Sequence, residues 1–305
     1  MIYEKQHIRI GKIIVIIIVI NFLLSADTSH SQIKSPREIM KFFLVPNKTE
    51  LLPLEPLWAM ALWTNPTDQK VEILVSLELL TEWRQDSGDW LLYHPDNELV
   101  RLPPAPRLVT FQPREVRRLS TYLDFDQSLP DGHAFAKPGR VQIRAGIAEM
   151  ASEPVDLTVH EPQGREAQAY EMLKQSPLRH YLNAKGIIES RYPSDHATSV
   201  ALEAFIQQFP TTTYRVHAQF TLAIMWAIGV DEQIDLSKAQ SLLTQLTTHS
   251  DPTVIAKAFL YLGLIALDKE NFETARQHLL QVLQGQPDPY VKVFAEGVIE
   301  RLPSQ

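Results

Sequence analysis

The chain has 305 residues, 45% hydrophobic and 21% charged, with 29 Lys and Arg against 36 Asp and Glu for a formal charge of −7. That balance excludes collagen-like, disordered and multi-span membrane classes and leaves room for about two domains, each able to bury its own core. The absence of cysteine removes disulfides, thiolate metal sites and thiol nucleophiles, so stability rests on packing.

At the N-terminus Lys5, Arg9 and Lys12 precede an apolar run from Ile13 to Leu24. The run is shorter than the roughly 20 residues a membrane-crossing helix needs. A basic segment, a short apolar stretch and the small pair Ser25-Ala26 describe a secretory signal over residues 1–26, with an uncleaved anchor as the alternative. Loss of the segment leaves a more acidic, exported chain, placed in a periplasm, cell envelope or extracellular space. Contact with a membrane is then expected only through this segment. No basic stripe with interleaved aromatics is present, so nucleic acid is not an expected partner.

Residues 38–160 alternate apolar and polar side chains between turn signals. Val71, Ile73, Val75, Leu77 and Leu79 share one strand face, as do Val141, Ile143, Ala145 and Ile147. Trp58, Met60 and Leu62 interleave with Ala59, Ala61 and Trp63, which predicts a central strand, apolar on both sides. Val155, Leu157 and Val159 alternate with polar residues and predict a half-exposed final strand. Turn chemistry at Asn65-Pro66-Thr67-Asp68, Asp86-Ser87-Gly88-Asp89 and Lys137-Pro138-Gly139 spaces the strands as in a sandwich. With Glu55-Pro56-Leu57-Trp58 and Phe111-Gln112-Pro113-Arg114-Glu115 leading into strands, this region resembles the immunoglobulin-like β-sandwich domains of exported bacterial proteins. That resemblance implies a fold and no site.

After Glu161-Pro162-Gln163-Gly164 the periodicity becomes helical, and residues 161–305 form a second domain. In the stretch from Ala256 to Pro289, Leu262-Gly263, Phe272, Ala275, Leu279, Val282 and Pro287 resemble a tetratricopeptide repeat, a unit of about 34 residues. Gly263 and Ala275 permit close approach of its two helices. Ala218, Leu222, Ala223, Ala239, Leu243 and Leu246 form a looser unit with a longer connection through Gly229 to Ile234. Asp251-Pro252 and Asp288-Pro289 each place a capping Asp before a Pro that starts a helix. Tyr290 to Leu302 reads as a terminal helix burying Val291, Phe294, Ala295, Val298 and Ile299. So short an array needs cover at its N-terminal end, from the sandwich or from Glu166 to Leu182. The fold class is therefore multidomain, all-β followed by all-α.

Chemistry-bearing motifs are sparse. Phosphate-loop, dinucleotide, nucleophile-elbow and zinc-protease patterns are missing. Asp124-Phe125-Asp126-Gln127-Ser128 imitates the start of a calcium loop, but Leu129 and Phe135 stand where Gly and the bidentate Glu are required. The ten histidines make no helical pair. No catalytic residue, metal ligand or cofactor is expected. The expected role is a non-enzymatic interaction or scaffold protein that binds a protein or peptide. Its partner face on the first helices of the repeats, as the resemblance implies, comprises His217, Phe220, Ile224, Lys257, Leu260 and Leu264; the alternative reading, and the favoured one, is that these side chains pack against a neighbouring helix in the stack. The alternatives are a hydrolase-type enzyme at the domain junction, using His160, His180 or His196, and a membrane-anchored structural or secretion component.

Overall fold

The computed structural model describes residues 39–75, 79–93, 105–123, 132–147, 150–182, 195–231, 233–285, 287 and 289–303. The N-terminal segment, the Asp124–Ser128 stretch and Asp288 lie outside the described residues. The N-terminal part is built from sheets and the C-terminal half from helices, as the two periodicities predict.

One sheet holds β1 (Lys41–Pro46), β3 (Leu57–Thr64) and β8 (Val116–Leu123), with β3 in the middle. The opposing sheet runs β2 (Glu50–Leu51), β11 (Val155–Val159), β9 (Gly139–Ile147), β5 (Leu79–Gln85), β6 (Leu91–Tyr93), and β10 (Met150–Ala151) also pairs with β9. Strands β4 (Val71–Val75) and β7 (Arg107–Phe111) form a separate antiparallel pair. Alternation decides what each strand buries. Leu57, Ala59, Ala61 and Trp63 of β3 face Val141, Ile143, Ala145 and Ile147 of β9 in one core, and Trp63 meets Phe111 edge-on at 4.5 Å. Asn65 ties two turns to this core. Its side-chain amide donates to the Gln69 and Gln112 carbonyls at 2.8 and 2.9 Å, and its oxygen accepts from the Thr67 amide at 3.0 Å.

The helical half contains α1 (Gly164–Lys174), a 3-10 turn (Pro177–Tyr181), α2 (His196–Gln208), α3 (Thr213–Ile228), α4 (Leu236–Leu246), α5 (Pro252–Asp268), α6 (Phe272–Gln284) and α7 (Pro289–Arg301). Capping follows the sequence. Asp195, Asp235, Asp251 and Asn271 each accept an amide hydrogen from the first turn of the helix they precede. Helix α5 packs on α6 through Gly263, where a Cβ would lie 2.9 Å from Leu279 Cγ, so a larger residue would force the helices apart. Residues 218–226 of α3 are all buried, which places this helix at the centre of the array. The loose connection between α3 and α4 is closed by reciprocal backbone bonds between Val230 and Gln233, both 2.9 Å. Helix α7 departs from expectation at Phe294, which is 40% exposed, while Val291 and Ala295 are buried and Val298 and Ile299 pack partly buried beside them.

Cover for the array comes from both predicted sources. Helix α1 and the 3-10 turn lie against α3, where the Thr221 hydroxyl donates to the Tyr181 carbonyl. The β part reaches in through the loop after β2. Leu54, only 2% exposed and held at a φ of 63°, belongs to the helical core rather than to the sheet core. Its amide donates to the Phe135 carbonyl at 2.8 Å, and the neighbouring Pro53 carbonyl accepts from the Tyr214 hydroxyl of α3 at 2.7 Å. Tyr170 of α1 donates to the Ala136 carbonyl at 2.8 Å, a second clamp across the junction. Truncation of Leu54 to Ala is expected to cost about 2–5 kcal/mol, since it empties a cavity the helices cannot close. Urea unfolding followed separately in both halves should show them losing stability together; a change confined to the β half would mean that the loop does not couple them.

Candidate functional site

The alternation that sends Trp63 inward sends Trp58 and Met60 outward on β3. This outer face does not simply meet water. The N-terminus of α5 and the side of α7 stand over it, and an open cleft of about 850 Å³ separates them, with Val45, Lys48, Trp58, Met60 and Arg118 on one wall and Asp251, Thr253, Lys292, Val293 and Glu296 on the other. The walls touch where the Trp58 indole N–H donates to the Thr253 hydroxyl at 3.2 Å. Val293 is 66% exposed at the mouth.

The inner end narrows to a cavity of about 40 Å³ that shares Asn47, Lys48, Trp58 and Asp251 with the cleft and adds Pro56, Val216, His217, Phe220, Val254 and Lys257. By volume it holds about three water molecules. Lys48 bonds the carboxylate of buried Glu55, which also accepts from the Leu52 amide at 2.8 Å. Asp251 caps α5, its carboxylate accepting from the Thr253 amide at 2.8 Å. Lys257 is 6% exposed, with its ammonium 5.6 Å from the Tyr122 ring centre. Burial, then the charges of Lys48 and Lys257, hold His217 well below the usual imidazole range.

Of the residues read from the sequence as a partner face, the structure brings His217, Phe220 and Lys257 to this inner cavity. Phe220 is buried there and packs edge-on against Tyr261 at 5.4 Å. Ile224 is buried in the main helical core, and Leu260, buried, and Leu264, half-buried, pack in the α5–α6–α7 core. Three of the six therefore line the inner cavity, and the other three pack in the helical cores, as the packed reading of that face expects. The sequence reading missed Lys48, Trp58, Arg118 and Lys292, which come from other segments. The one available signal was β3, apolar on both faces, whose outer side therefore needed a cover.

The histidines considered for catalysis occupy separate positions. His160 follows β11 and lies 3.5 Å from Glu50, both exposed. His180 sits in the 3-10 turn, where its ring nitrogen accepts from Arg179 at 3.3 Å and burial lowers its basicity. His196 opens α2, its amide donating to Asp231 at 3.1 Å. Among the described residues no group of three or more His, Asp or Glu is placed to hold a metal ion, and no helix is long and apolar enough to cross a membrane.

His133 is 3% exposed near the junction. Its Nδ1 accepts from the Phe135 amide at 3.1 Å and its Nε2 has no hydrogen-bond partner among the described residues. Burial, then Arg179, push it down to about 3. The folded chain therefore keeps this ring neutral while the unfolded chain protonates it near 6.5, so its contribution to stability is present above that pH and is lost as pH falls from there toward 3. Between pH 7 and pH 5 this one group should remove about 2 kcal/mol. Stability curves at the two pH values should show at least this loss, and His133→Asn, which keeps an acceptor for the Phe135 amide, should reduce it by about that amount; an equal loss in the variant would exclude His133 as a source.

No protein-family model matches the chain, and no curated protein matches it. Among solved structures it is similar over 40% of its length to a β-glucosidase from Erythrobacter marinus (13% identity, TM-score 0.26). It is similar over 40% to an alkylpurine DNA glycosylase from Pseudomonas fluorescens bound to DNA (9%, 0.28) and over 45% to a sporulation control protein from Bacillus subtilis (11%, 0.28). The matched parts span 15%, 30% and 55% of those proteins. At these scores the likenesses carry no argument about fold or activity.

Proposed function

We propose that the protein is an exported, non-enzymatic interaction protein of the cell envelope that seats a protein or peptide partner in the cleft between its two parts. The observation that carries the reading is the cleft itself. It is large enough for a peptide, apolar along Trp58, Met60 and Val293, and rimmed by charged side chains from both halves. An apolar floor with a polar rim is the composition of a recognition groove.

The finer fold assignments follow the same reasoning. An immunoglobulin-like domain divides its strands as β1, β3, β8 against β5, β9, β11, and the pairings here agree with that division. The pairs α3–α4 and α5–α6, with Gly263 at the closest approach and α7 as a terminal cover, favour tetratricopeptide-like repeats. Export rests on the basic and apolar composition of residues 1–26.

A photo-crosslinking amino acid at Val293, compared in cells with one at Leu74, tests the reading. Both positions are 66% exposed, and Leu74 lies on the β4–β7 pair rather than in the cleft. One discrete adduct at 293, absent at 74, is expected; equal labelling or none at 293 would refute a partner in the cleft.

A further inference from the structure

One short segment of the β half serves both clamps of the junction, and a histidine holds that segment in place. Residues 132–135 are buried. The Phe135 carbonyl accepts from the amide of Leu54, which seats the β2–β3 loop under Tyr214, and the Ala136 carbonyl accepts from the Tyr170 hydroxyl of α1, both at 2.8 Å. Between these two acceptors the Phe135 amide donates to His133 Nδ1 at 3.1 Å, with the two rings 5.8 Å apart. An imidazole that accepts at Nδ1 carries its proton on Nε2, and that N–H has no partner among the described residues. The seat of the segment therefore requires a neutral ring. Of the groups in this relay only the imidazole changes its protonation in the acid range, since amides and phenols keep their hydrogens there.

The surroundings offer no compensation to an imidazolium at this position. The charges that act on the ring come from the helical half: the Arg179 guanidinium of the 3-10 turn and, across the junction, the His217 imidazole of α3, itself facing Lys48, Lys257 and His249. The junction carboxylates are engaged elsewhere, Glu55 with Lys48 and the Leu52 amide, Glu166 with the Thr213 amide and hydroxyl, and Asp251 with the Thr253 amide. A protonated ring donates at both nitrogens, so even a flipped ring would set N–H against the Phe135 N–H. Leu54 adds a further bias, because its φ of 63° is a conformation that a released loop no longer has to hold. We infer that His133 is the latch of an acid-sensitive joint: a proton taken from solvent at Nδ1 expels the Phe135 amide, unseats residues 133–136 and undocks the β2–β3 loop from the helical half while each half stays folded. The inference goes beyond the cleft reading and does not depend on a partner. Because the walls of the cleft come from both halves, opening of the joint also dismantles the cleft.

The test is amide hydrogen exchange of the full chain, followed by mass spectrometry at pH 7 and pH 5, with each rate divided by the intrinsic rate at that pH. Peptides covering Leu54 and residues 133–136 should lose protection about 25-fold between the two pH values, the ratio expected for a ring that titrates near 6.5 when open and at about 3 when docked. Peptides from the centre of β9 and from the α5–α6 contact should keep theirs, which separates undocking from global unfolding. His133→Asn, which retains an acceptor for the Phe135 amide, should abolish the pH dependence at Leu54. Tyr170→Phe should raise exchange there about 5- to 10-fold at both pH values and leave the pH ratio unchanged, since it removes a clamp and not the titrating group. An equal loss of protection in β9 and α5, no loss at Leu54, or an undiminished loss in His133→Asn would overturn the latch.

Discussion

The docking of the β2–β3 loop into the helical array is the constraint on which the rest of the arrangement depends. Leu54 sits in the helical core although it belongs to the β half by sequence, and it does so at a backbone conformation that L-residues adopt at a cost. The cost is offset where the chain is most crowded. The Leu54 amide and the Pro53 carbonyl both find partners, one from the β half and one from α3, so that the buried loop leaves neither group unsatisfied. With the Tyr170 clamp to Ala136 on the other flank and the Trp58–Thr253 bond at the cleft, three hydrogen-bonded points join the halves. A cleft between parts held in this way has a fixed shape, which lowers the ordering cost that any partner must overcome.

The same docking explains why ionisable groups collect at the junction. Each half on its own would leave Lys48, Lys257 and His217 against water. Bringing the halves together desolvates them in company, and the consequence is a suppressed imidazole at His217 beside two lysines. His133 undergoes a similar desolvation on the neighbouring segment, with its second nitrogen lacking a partner among the described residues. The junction is most secure when its buried histidines are neutral.

The two periodicities and their boundary were legible because each is a local property. Period two across Val141 to Ile147 and across β3 follows from where successive Cβ atoms point, and the Asp cap at 251 follows from the need of first-turn amides for acceptors. Gly263 was legible for a steric reason, and the contact with Leu279 bears that reason out. Phe294 was misplaced because a helix wheel reports direction and not the width of what lies opposite; Val291 and Ala295 are buried against the array while Phe294, on the flank of the same face, stays 40% exposed. The site was legible only in fragments. His217, Phe220 and Lys257 come from one helical face and could be grouped by spacing. Lys48 and Trp58 stand far from them in sequence, in a segment whose own pattern speaks only of strands.

By itself, then, the sequence determined the secondary structure, the division into a sheet-rich and a helical part, and the caps and close approaches within each, because all of these are set by interactions over a few residues. Only the tertiary structure decided that the outer face of β3 is roofed by α5 and α7, that Leu54 serves the helical core, and that lysines from both halves share one cavity. Those outcomes depend on how two surfaces fit, a property of shape and burial summed over segments far apart in the chain, which no local spacing encodes.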